Sequence, residues 1–199
     1  MPSIVSHSKN FAFVHIAKTG GTSMVNALRP YEDHKWLKWG ARYALATLIP
    51  PRRRIELQRR FFLTHMRAAE LKARFDDFDR LFSFGFVRNP WDRHVSLYEY
   101  WRQTPSQPMF EVVRNQSFAD YLRSLGPMHH GRQASWLHDE TGRPLVSFIG
   151  RFENIENDFA DICTRLGIAA TLPHLNRSAR RSYRDYYDHE TRDLVARVD

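Results

Sequence analysis

The sequence predicts an α/β domain of three layers, in which helices cover both faces of a mainly parallel sheet. Two observations lead to this prediction: short apolar runs suited to buried strands, and helical patterns that separate these runs along the chain. The runs occupy residues 11–16, 61–64, 81–87 and 145–149. In such sheets ligands bind outside the carboxyl ends of the strands, so the residues that follow each run are the first candidates for function.

The first run leads directly into a loop of groups that bind anions, with the sequence AKTGGTS at residues 17–23. Its two glycines let the backbone approach a ligand closely, and N–H groups at the start of a helix attract negative charge. Lys18 adds a cation, and we expect Ser23 to be the N-cap of the helix that follows. The nucleotide triphosphatase loop is a different pattern, because there the lysine follows the glycines. A phosphate or a sulfate is the simplest ligand, and an ordinary glycine turn is the alternative.

The second run is followed by His65, which therefore lies where a catalytic group is expected. Histidine titrates near neutral pH and can accept the proton of an attacking hydroxyl group. The chain contains ten histidines, so a structural role for His65 is the competing interpretation. His15 is expected to be buried in or beside the first strand. Other candidates for the base are His129, His130, His174, Glu70 and Asp76.

The third run is followed by Arg88 and then by the start of a helix. Asn89 is a favourable N-cap, and Pro90 suits the first helical position. An apolar stripe gives this helix one packing face, formed by Trp91, Val95, Tyr98 and Trp101. Arg88 leaves the strand and Ser96 lies about two helical turns further on, so we expect both side chains to converge on one anion.

The remaining helices are predicted from apolar spacing and from capping residues. Residues 68–75 and 117–125 each suit a short helix. A longer helix follows the fourth run and ends at Gly167. Its inward face consists of Ile155, Phe159, Ile162 and Leu166. Asp188 can cap the last helix.

The composition favours an anionic ligand. The net charge is +8, and arginine, the better bidentate partner of phosphate and sulfate, supplies 25 of the 30 basic residues. Cys163 is the only cysteine, so an intrachain disulfide is excluded. No run reaches the roughly 18 apolar residues of a membrane span, and the first ten residues lack the apolar segment of a signal peptide. We expect a cytoplasmic protein whose residues 1–199 form one domain, truncated at the C-terminus because the last residues read as an unfinished helix.

Two motifs together resemble those of the sulfotransferases that use 3′-phosphoadenosine 5′-phosphosulfate (PAPS) as donor. HIAKTGGTS at residues 15–23 resembles their 5′-phosphosulfate loop. FVRNPWDRHVSLY at residues 86–98 resembles their 3′-phosphate motif, in which an arginine after a strand and a serine in the next helix bind the donor. GRFENIENDF and LPHLNRS are similar to the group of carbohydrate sulfotransferases and their bacterial relatives. The resemblance covers nearly the whole chain and implies a P-loop-like sulfotransferase fold.

The resemblance implies a role for each matching residue. The expected ligands of the 5′-phosphosulfate are Lys18, Thr19, Gly20, Gly21, Thr22 and Ser23. Arg88 and Ser96 would hold the 3′-phosphate, His65 would be the catalytic base, and Lys18 would also stabilise charge on the transferred group. The acceptor is expected to be a hydroxyl group on a carbohydrate, with neither a metal ion nor nucleic acid involved. The proline that usually precedes the lysine in this family is replaced by Ala17, which removes no ligand group.

Further residues near these motifs are candidates for contacts with the donor. Gln133 and Trp136 precede the GRFEN segment, and this position often touches the donor in the same family. Several arginines are placed to close over the nucleotide or to meet an anionic acceptor, namely Arg151, Arg177, Arg180 and Arg181. Each of these residues also suits a surface or packing role.

Three alternative functions stay open at this point. A nucleotide-dependent phosphotransferase would need a lysine after the glycines and an acidic magnesium ligand, and neither is evident. A non-catalytic basic module for nucleic acid or anionic glycan would explain Trp36 and Trp39 among their basic neighbours. A sulfotransferase fold that binds the donor without turnover is the third alternative. For Arg88 alone, the structural alternative is a surface ion pair with Asp92 or Glu99.

Overall fold

The computed structural model describes residues 2–33, 66–107, 109–124, 132–173 and 181–198. The described strands are β1 (Ile4–Ser6), β2 (Phe11–Val14), β3 (Phe82–Val87) and β4 (Phe148–Arg151). The described helices are α1 (Gly21–Leu28), α2 (Ala68–Arg74), α3 (Pro90–Gln103), α4 (Phe110–Val113), α5 (Phe118–Ser124), α6 (Ala134–Leu137), α7 (Ile155–Leu166) and α8 (His189–Val198). Short 3₁₀ turns lie at Arg29–Tyr31, Phe78–Arg80, Phe152–Asn154 and Tyr183–Tyr186. Of the helices in these ranges, none has the length and apolar character needed to cross a membrane.

The described strands form one sheet in the order β1-β2-β3-β4. β1 is antiparallel to β2, whereas β2 pairs with β3, and β3 with β4, in parallel. The predicted, mainly parallel sheet is therefore confirmed. β1 was not expected from the sequence, because three residues are too few to show a strand pattern. The strand predicted at residues 61–64 lies outside the described residues.

The first and third predicted strands correspond to β2 and β3 within two residues at each end. The prediction of a strand at residues 145–149 is wrong in its position, because β4 begins three residues later. Leu145 turns towards α6 instead, where its N–H donates to the Leu137 carbonyl (2.7 Å). The chain reaches the sheet only at Ser147, whose N–H donates to the Ser83 carbonyl (2.8 Å).

Apolar side chains pack on both faces of the sheet, which confirms the predicted three layers. One face, covered by α1 and α7, contains Phe11, Phe13, Phe82, Phe84 and Phe86 from the strands. The opposite face, covered by α2 and α6, contains Ala12, Val14 and, just after β2, Ile16. Successive residues of β2 thus point to opposite faces, as the alternation of side chains along a strand requires.

A third apolar cluster lies beside the sheet and anchors α3. It joins α3 to α4, α5 and α8, and its buried members are Val95, Leu97, Tyr98, Trp101, Val113, Phe118, Tyr121, Leu122 and Val195. The packing face predicted for α3 is confirmed, with Trp91 partly buried against the same cluster. This packing fixes the helix whose first turn follows β3.

Most predicted helix ends are confirmed. The Asn89 Oδ1 accepts the Asp92 N–H at the start of α3 (3.2 Å). Gly167 ends α7 in the left-handed conformation at φ 60°. The Asp188 Oδ1 accepts the Thr191 N–H at the start of α8 (2.8 Å).

The prediction that Ser23 caps α1 is wrong. α1 begins at Gly21, and Gly20 is its cap with φ 83° and ψ 8°. Glycine adopts this left-handed conformation without a steric penalty, so the chain turns into the helix earlier than the hydroxyl residues suggest. Ser23 consequently lies in the first turn of α1.

Candidate functional site

The residues that follow β2, β3 and β4 lie together on the side of the sheet where these parallel strands have their carboxyl ends. We call this side the carboxyl edge. Val14, the last residue of β2, pairs with Gly85, and Val87, the last residue of β3, pairs with Arg151 at the end of β4. Three of the motifs predicted from the sequence therefore begin at neighbouring strand ends. Parallel α/β sheets bind their ligands at this edge.

Phe152 joins these motifs. The Arg88 guanidinium lies over the Phe152 ring, 4.0 Å from its centroid. A Cβ atom at Gly20 would lie 3.3 Å from Phe152 Cδ2, so the GRFEN segment packs directly against the glycine loop. The Asn89 N–H donates to Glu153 Oε1 (2.6 Å), which ties the same segment to the start of α3.

The glycine loop has an unusual backbone at Lys18. Within residues 15–23, Lys18 (φ 70°) and Gly20 (φ 83°) have positive φ. Non-glycine residues adopt this conformation rarely and at an energetic cost, which the surrounding structure must offset. Thr19, between them, is buried, and its hydroxyl donates to the Ile16 carbonyl (3.0 Å). An alternation in the sign of φ turns successive N–H groups towards one concave surface, which favours an anion.

The first turn of α1 adds further backbone donors to this loop. The first helical hydrogen bond runs from the Met24 N–H to the Gly20 carbonyl (3.2 Å). The N–H groups of the preceding residues, Gly21, Thr22 and Ser23, therefore lie before the intrahelical bonds begin. The side chains of Thr22 and Ser23 are half-buried. The start of α1 thus offers the set of donors that binds phosphate or sulfate in other proteins.

Gly21 has no space for a side chain. A Cβ atom at this position would overlap the imidazole ring of His15. His15 is buried, as expected from the sequence, and its backbone N–H donates to Ser3 Oγ (3.1 Å). The His15 ring therefore packs directly against Gly21, and this position requires glycine for packing.

Arg88 is fixed by contacts on three sides of its guanidinium. Its Nε and Nη2 donate to Asp92 Oδ2 (2.9 and 2.7 Å), and its Nη1 donates to the Lys18 carbonyl (3.0 Å). The predicted ion pair with Asp92 does form, but its side chains are only 9% and 17% exposed, so it is not a surface pair. Arg88 thereby connects the two predicted phosphate-binding motifs through a direct hydrogen bond.

Gln133 holds the backbone of Arg88 in place. Its Oε1 accepts the Arg88 N–H (2.9 Å), and its Nε2 donates to the Arg88 carbonyl (2.8 Å). The side chain is buried, and it satisfies two backbone groups just after the end of β3. Trp136, the other candidate in this segment, is buried in the apolar cluster beneath α6.

Ser96 and Tyr100 lie one turn apart on α3. Ser96 is half-buried. The ring centroid of Tyr100 lies 4.2 Å from Lys18 Nζ, and the residue is 38% exposed. A tyrosine phenol is neutral at physiological pH, and burial raises the pKa of the Tyr100 phenol further. Tyr100 was not among the residues predicted from the sequence, although its four-residue spacing from Ser96 places the two on one side of the helix.

Arg93 is a second contact that the sequence analysis missed. It is only 2% exposed, and its Nε donates to the Ala17 carbonyl (3.2 Å). Because arginine is rarely buried, a reading of apolar spacing assigns it to the surface. The residue places a positive charge beneath the residue that precedes Lys18.

The remaining candidates take other positions. Glu70 caps α2 by accepting the Arg67 N–H (2.7 Å), and Asp76 is exposed. Arg151 is exposed at the end of β4, and the Arg181 guanidinium lies over the Tyr186 ring (4.4 Å). The predictions that lie outside the described residues are His65, His129, His130, His174, Arg177 and Arg180. In the part of the chain that the structure describes, no group of three or more His, Cys, Asp or Glu residues could hold a metal ion.

Comparison with known proteins identifies the family. The sequence profile of the sulfotransferase family matches residues 1–198, which is nearly the whole chain. An uncharacterized protein of Archaeoglobus fulgidus is 29% identical over 119 residues, which cover 54% of this chain and 86% of that protein. No solved structure matches the chain. The chain belongs to the sulfotransferase family.

Proposed function

We propose that this protein transfers a sulfuryl group from PAPS to a hydroxyl group, with a carbohydrate as the acceptor. The observation that carries the proposal is the hydrogen bond from Arg88 Nη1 to the Lys18 carbonyl (3.0 Å). It joins the loop expected to bind the 5′-phosphosulfate to the arginine expected to bind the 3′-phosphate. One PAPS molecule carries both of these groups, so a loop and an arginine that are joined in this way suit a single bound donor.

The residues at the carboxyl edge fit the charges of the donor. Backbone N–H groups of residues 20–23, together with the Lys18 ammonium, would bind the 5′-phosphosulfate. Arg88 and Ser96 would bind the 3′-phosphate. Arg88 already lies against Phe152 and Asp92, so little side-chain freedom is lost when an anion binds.

The proposed reaction is an in-line transfer at sulfur. The acceptor oxygen forms a bond to sulfur while the bond between sulfur and the bridging phosphate oxygen breaks. The electron pair of the broken bond stays on the phosphate oxygen of 3′-phosphoadenosine 5′-phosphate, and the proton of the acceptor passes to the base, which we assign to His65. Lys18 and the N–H groups of the loop would stabilise charge on the sulfuryl and phosphate oxygens, and such preoriented donors are often the largest catalytic contribution.

The other functions have less support. The lysine of the loop precedes both glycines, which is not the order of a nucleotide triphosphatase loop. A non-catalytic basic module would not need buried and hydrogen-bonded arginines beside a glycine loop. A member of the family that binds the donor without turnover is the remaining competitor, and only a measurement of turnover separates it from the proposal.

The experiment is calorimetric titration with the product 3′-phosphoadenosine 5′-phosphate. We expect saturable binding by the wild-type chain and binding about 10- to 100-fold weaker for Lys18→Ala and for Arg88→Ala, because each loses a charged hydrogen bond. Arg165→Ala is the matched control, since its guanidinium also lies over a phenylalanine ring but does so far from the loop, over Phe82 (4.3 Å).

Two results would contradict this assignment. If the folded wild-type chain does not bind the bisphosphate, PAPS is not the donor. If the Arg165 variant loses as much affinity as the Lys18 and Arg88 variants, the binding reflects general charge and not a site at the carboxyl edge.

A further inference from the structure

Lys18 and Tyr100 form a contact that no part of the proposed mechanism requires. The Lys18 ammonium lies 4.2 Å from the centroid of the Tyr100 ring, within the range of a cation–π interaction. We propose that Tyr100 is a positioning residue, whose ring holds the Lys18 ammonium in the orientation in which it meets the anionic donor. This inference rests on the proposed function, because it assumes that Lys18 binds the donor.

With this contact, Lys18 is held both at its backbone and at its ammonium group. Its backbone has a φ of 70°, and its carbonyl accepts a hydrogen bond from Arg88 Nη1 (3.0 Å). A free lysine side chain has four flexible carbons and loses much rotamer freedom when it binds a ligand. A ring that already holds the ammonium lowers that entropic cost.

Tyr100 is placed for this role by the packing of α3. Its neighbours Tyr98 and Trp101 are buried in the third apolar cluster and anchor the helix. Tyr100 itself is 38% exposed and points away from that cluster to Lys18. The helix that follows Arg88 and contains Ser96 thus also sets the position of the lysine.

The ring contact is compatible with a bound anion. A ring covers one side of an ammonium group, and the other side can still donate hydrogen bonds to phosphate or sulfuryl oxygens. The phenol is protonated at physiological pH and carries no charge that would compete for the lysine, and burial raises its pKa further. Tyr100 can therefore act through Lys18 without touching the donor.

A double-mutant cycle tests this role. Binding of 3′-phosphoadenosine 5′-phosphate is measured by calorimetry for the wild type, Tyr100→Leu, Lys18→Ala and the double variant. We expect Tyr100→Leu to weaken binding about two- to fivefold in the wild-type background, which is the effect of one partly exposed cation–π contact. In the Lys18→Ala background the same substitution should change nothing. Tyr100→Phe keeps the ring and should restore most of the affinity.

The controls separate this inference from the proposed function. Val112→Ser removes an exposed apolar side chain on α4 and serves as the matched control. Thermal unfolding of every variant checks that the chains are folded.

If the wild type binds but Tyr100→Leu binds equally well or more tightly, the positioning role is wrong and the function stands. An equal loss in the Lys18→Ala background would also overturn it, because the ring would then act on the donor directly. If the wild type does not bind, the proposed function fails first.

Discussion

Positively charged side chains lie at both ends of the parallel strands. At one end they are fixed by hydrogen bonds, and at the other end they are exposed. At the carboxyl edge, Arg88 makes three hydrogen bonds and Arg93 is buried against the Ala17 carbonyl. At the opposite edge, which we call the amino edge, an open cavity of about 390 Å³ lies beside the first residues of β3. The cations that line it are Lys9, Arg80 and Arg165, and all three are exposed.

Net charge alone therefore does not locate a site in this protein. A charge of +8 attracts anions to the whole surface, and water and salt screen exposed side chains. Recognition of one anion requires donors whose directions are set before the ligand arrives. Of the two edges, the carboxyl edge has this property, because the contacts of Arg88 and Lys18 run between neighbouring strand ends.

The largest effect is expected from substitution of His65, the candidate base that follows the second predicted strand. We expect His65→Ala to lower kcat by about 10²- to 10⁴-fold, because no base then takes the proton of the attacking hydroxyl group. Turnover is measured as PAPS consumption with a panel of carbohydrate acceptors, and donor affinity by calorimetry. Affinity should be retained, and His189→Ala, which changes an exposed histidine, is the control. Unchanged turnover would remove His65 from the mechanism.

A smaller effect is expected from substitutions at two glycines that have the same φ angle. Gly20 at the carboxyl edge and Gly142 in a surface turn both have φ 83°, a conformation that strains alanine at either position. A Cβ atom at Gly20 would overlap Ile155, whereas nothing lies within 4 Å of one at Gly142. We expect Gly20→Ala to lower the free energy of unfolding by about 1–3 kcal/mol more than Gly142→Ala, as measured in urea. Equal losses would mean that the loop adjusts and is not closely packed.

The smallest effect concerns Asp33, which binds the turn before β2 at the amino edge. Burial alone would raise the pKa of this carboxyl group, but hydrogen bonds from Ser8, His7 and Ser6 outweigh it and lower the pKa. The stabilisation is therefore complete above the pKa of the unfolded chain, near 4, and is lost as the pH falls through the folded value. Between pH 5 and pH 3, Asp33→Asn should lose slightly less free energy of unfolding than the wild type. An identical pH dependence, or weaker donor binding at pH 7, would contradict this assignment.

Much of the fold could be predicted because it depends on patterns within short segments. Apolar runs and caps such as Asn89 and Gly167 are local signals, and the structure confirms them. β1 was missed because its three residues are too few to show a pattern, and the true start of β4 was missed because it depends on pairing with distant residues. Ser147, for example, meets the sheet through the Ser83 carbonyl, which the local sequence does not reveal.

Several residues that the structure brings together beside the glycine loop were singled out from the sequence, but the contacts between them were not. The motifs identified Lys18 and Arg88 as charged groups beside glycines and a strand end. The sequence gives no sign that Arg88 donates to the Lys18 carbonyl, since 70 residues separate them. Arg93 and Tyr100 were missed for the same reason, because their importance depends on tertiary contacts with the loop.

The hydrogen bond between Arg88 and the Lys18 carbonyl also has a thermodynamic consequence. If each residue binds one end of the donor, this hydrogen bond connects the binding sites of the two ends. The binding free energies of the two ends are then coupled. Linkage then requires that occupation at one end change affinity at the other by the same factor in both directions. If this coupling is favourable, a nucleotide that lacks the 3′-phosphate would lose the free energy of that group and also the coupling free energy between the two ends. Selectivity for the intact donor would therefore exceed the sum of its separate contacts.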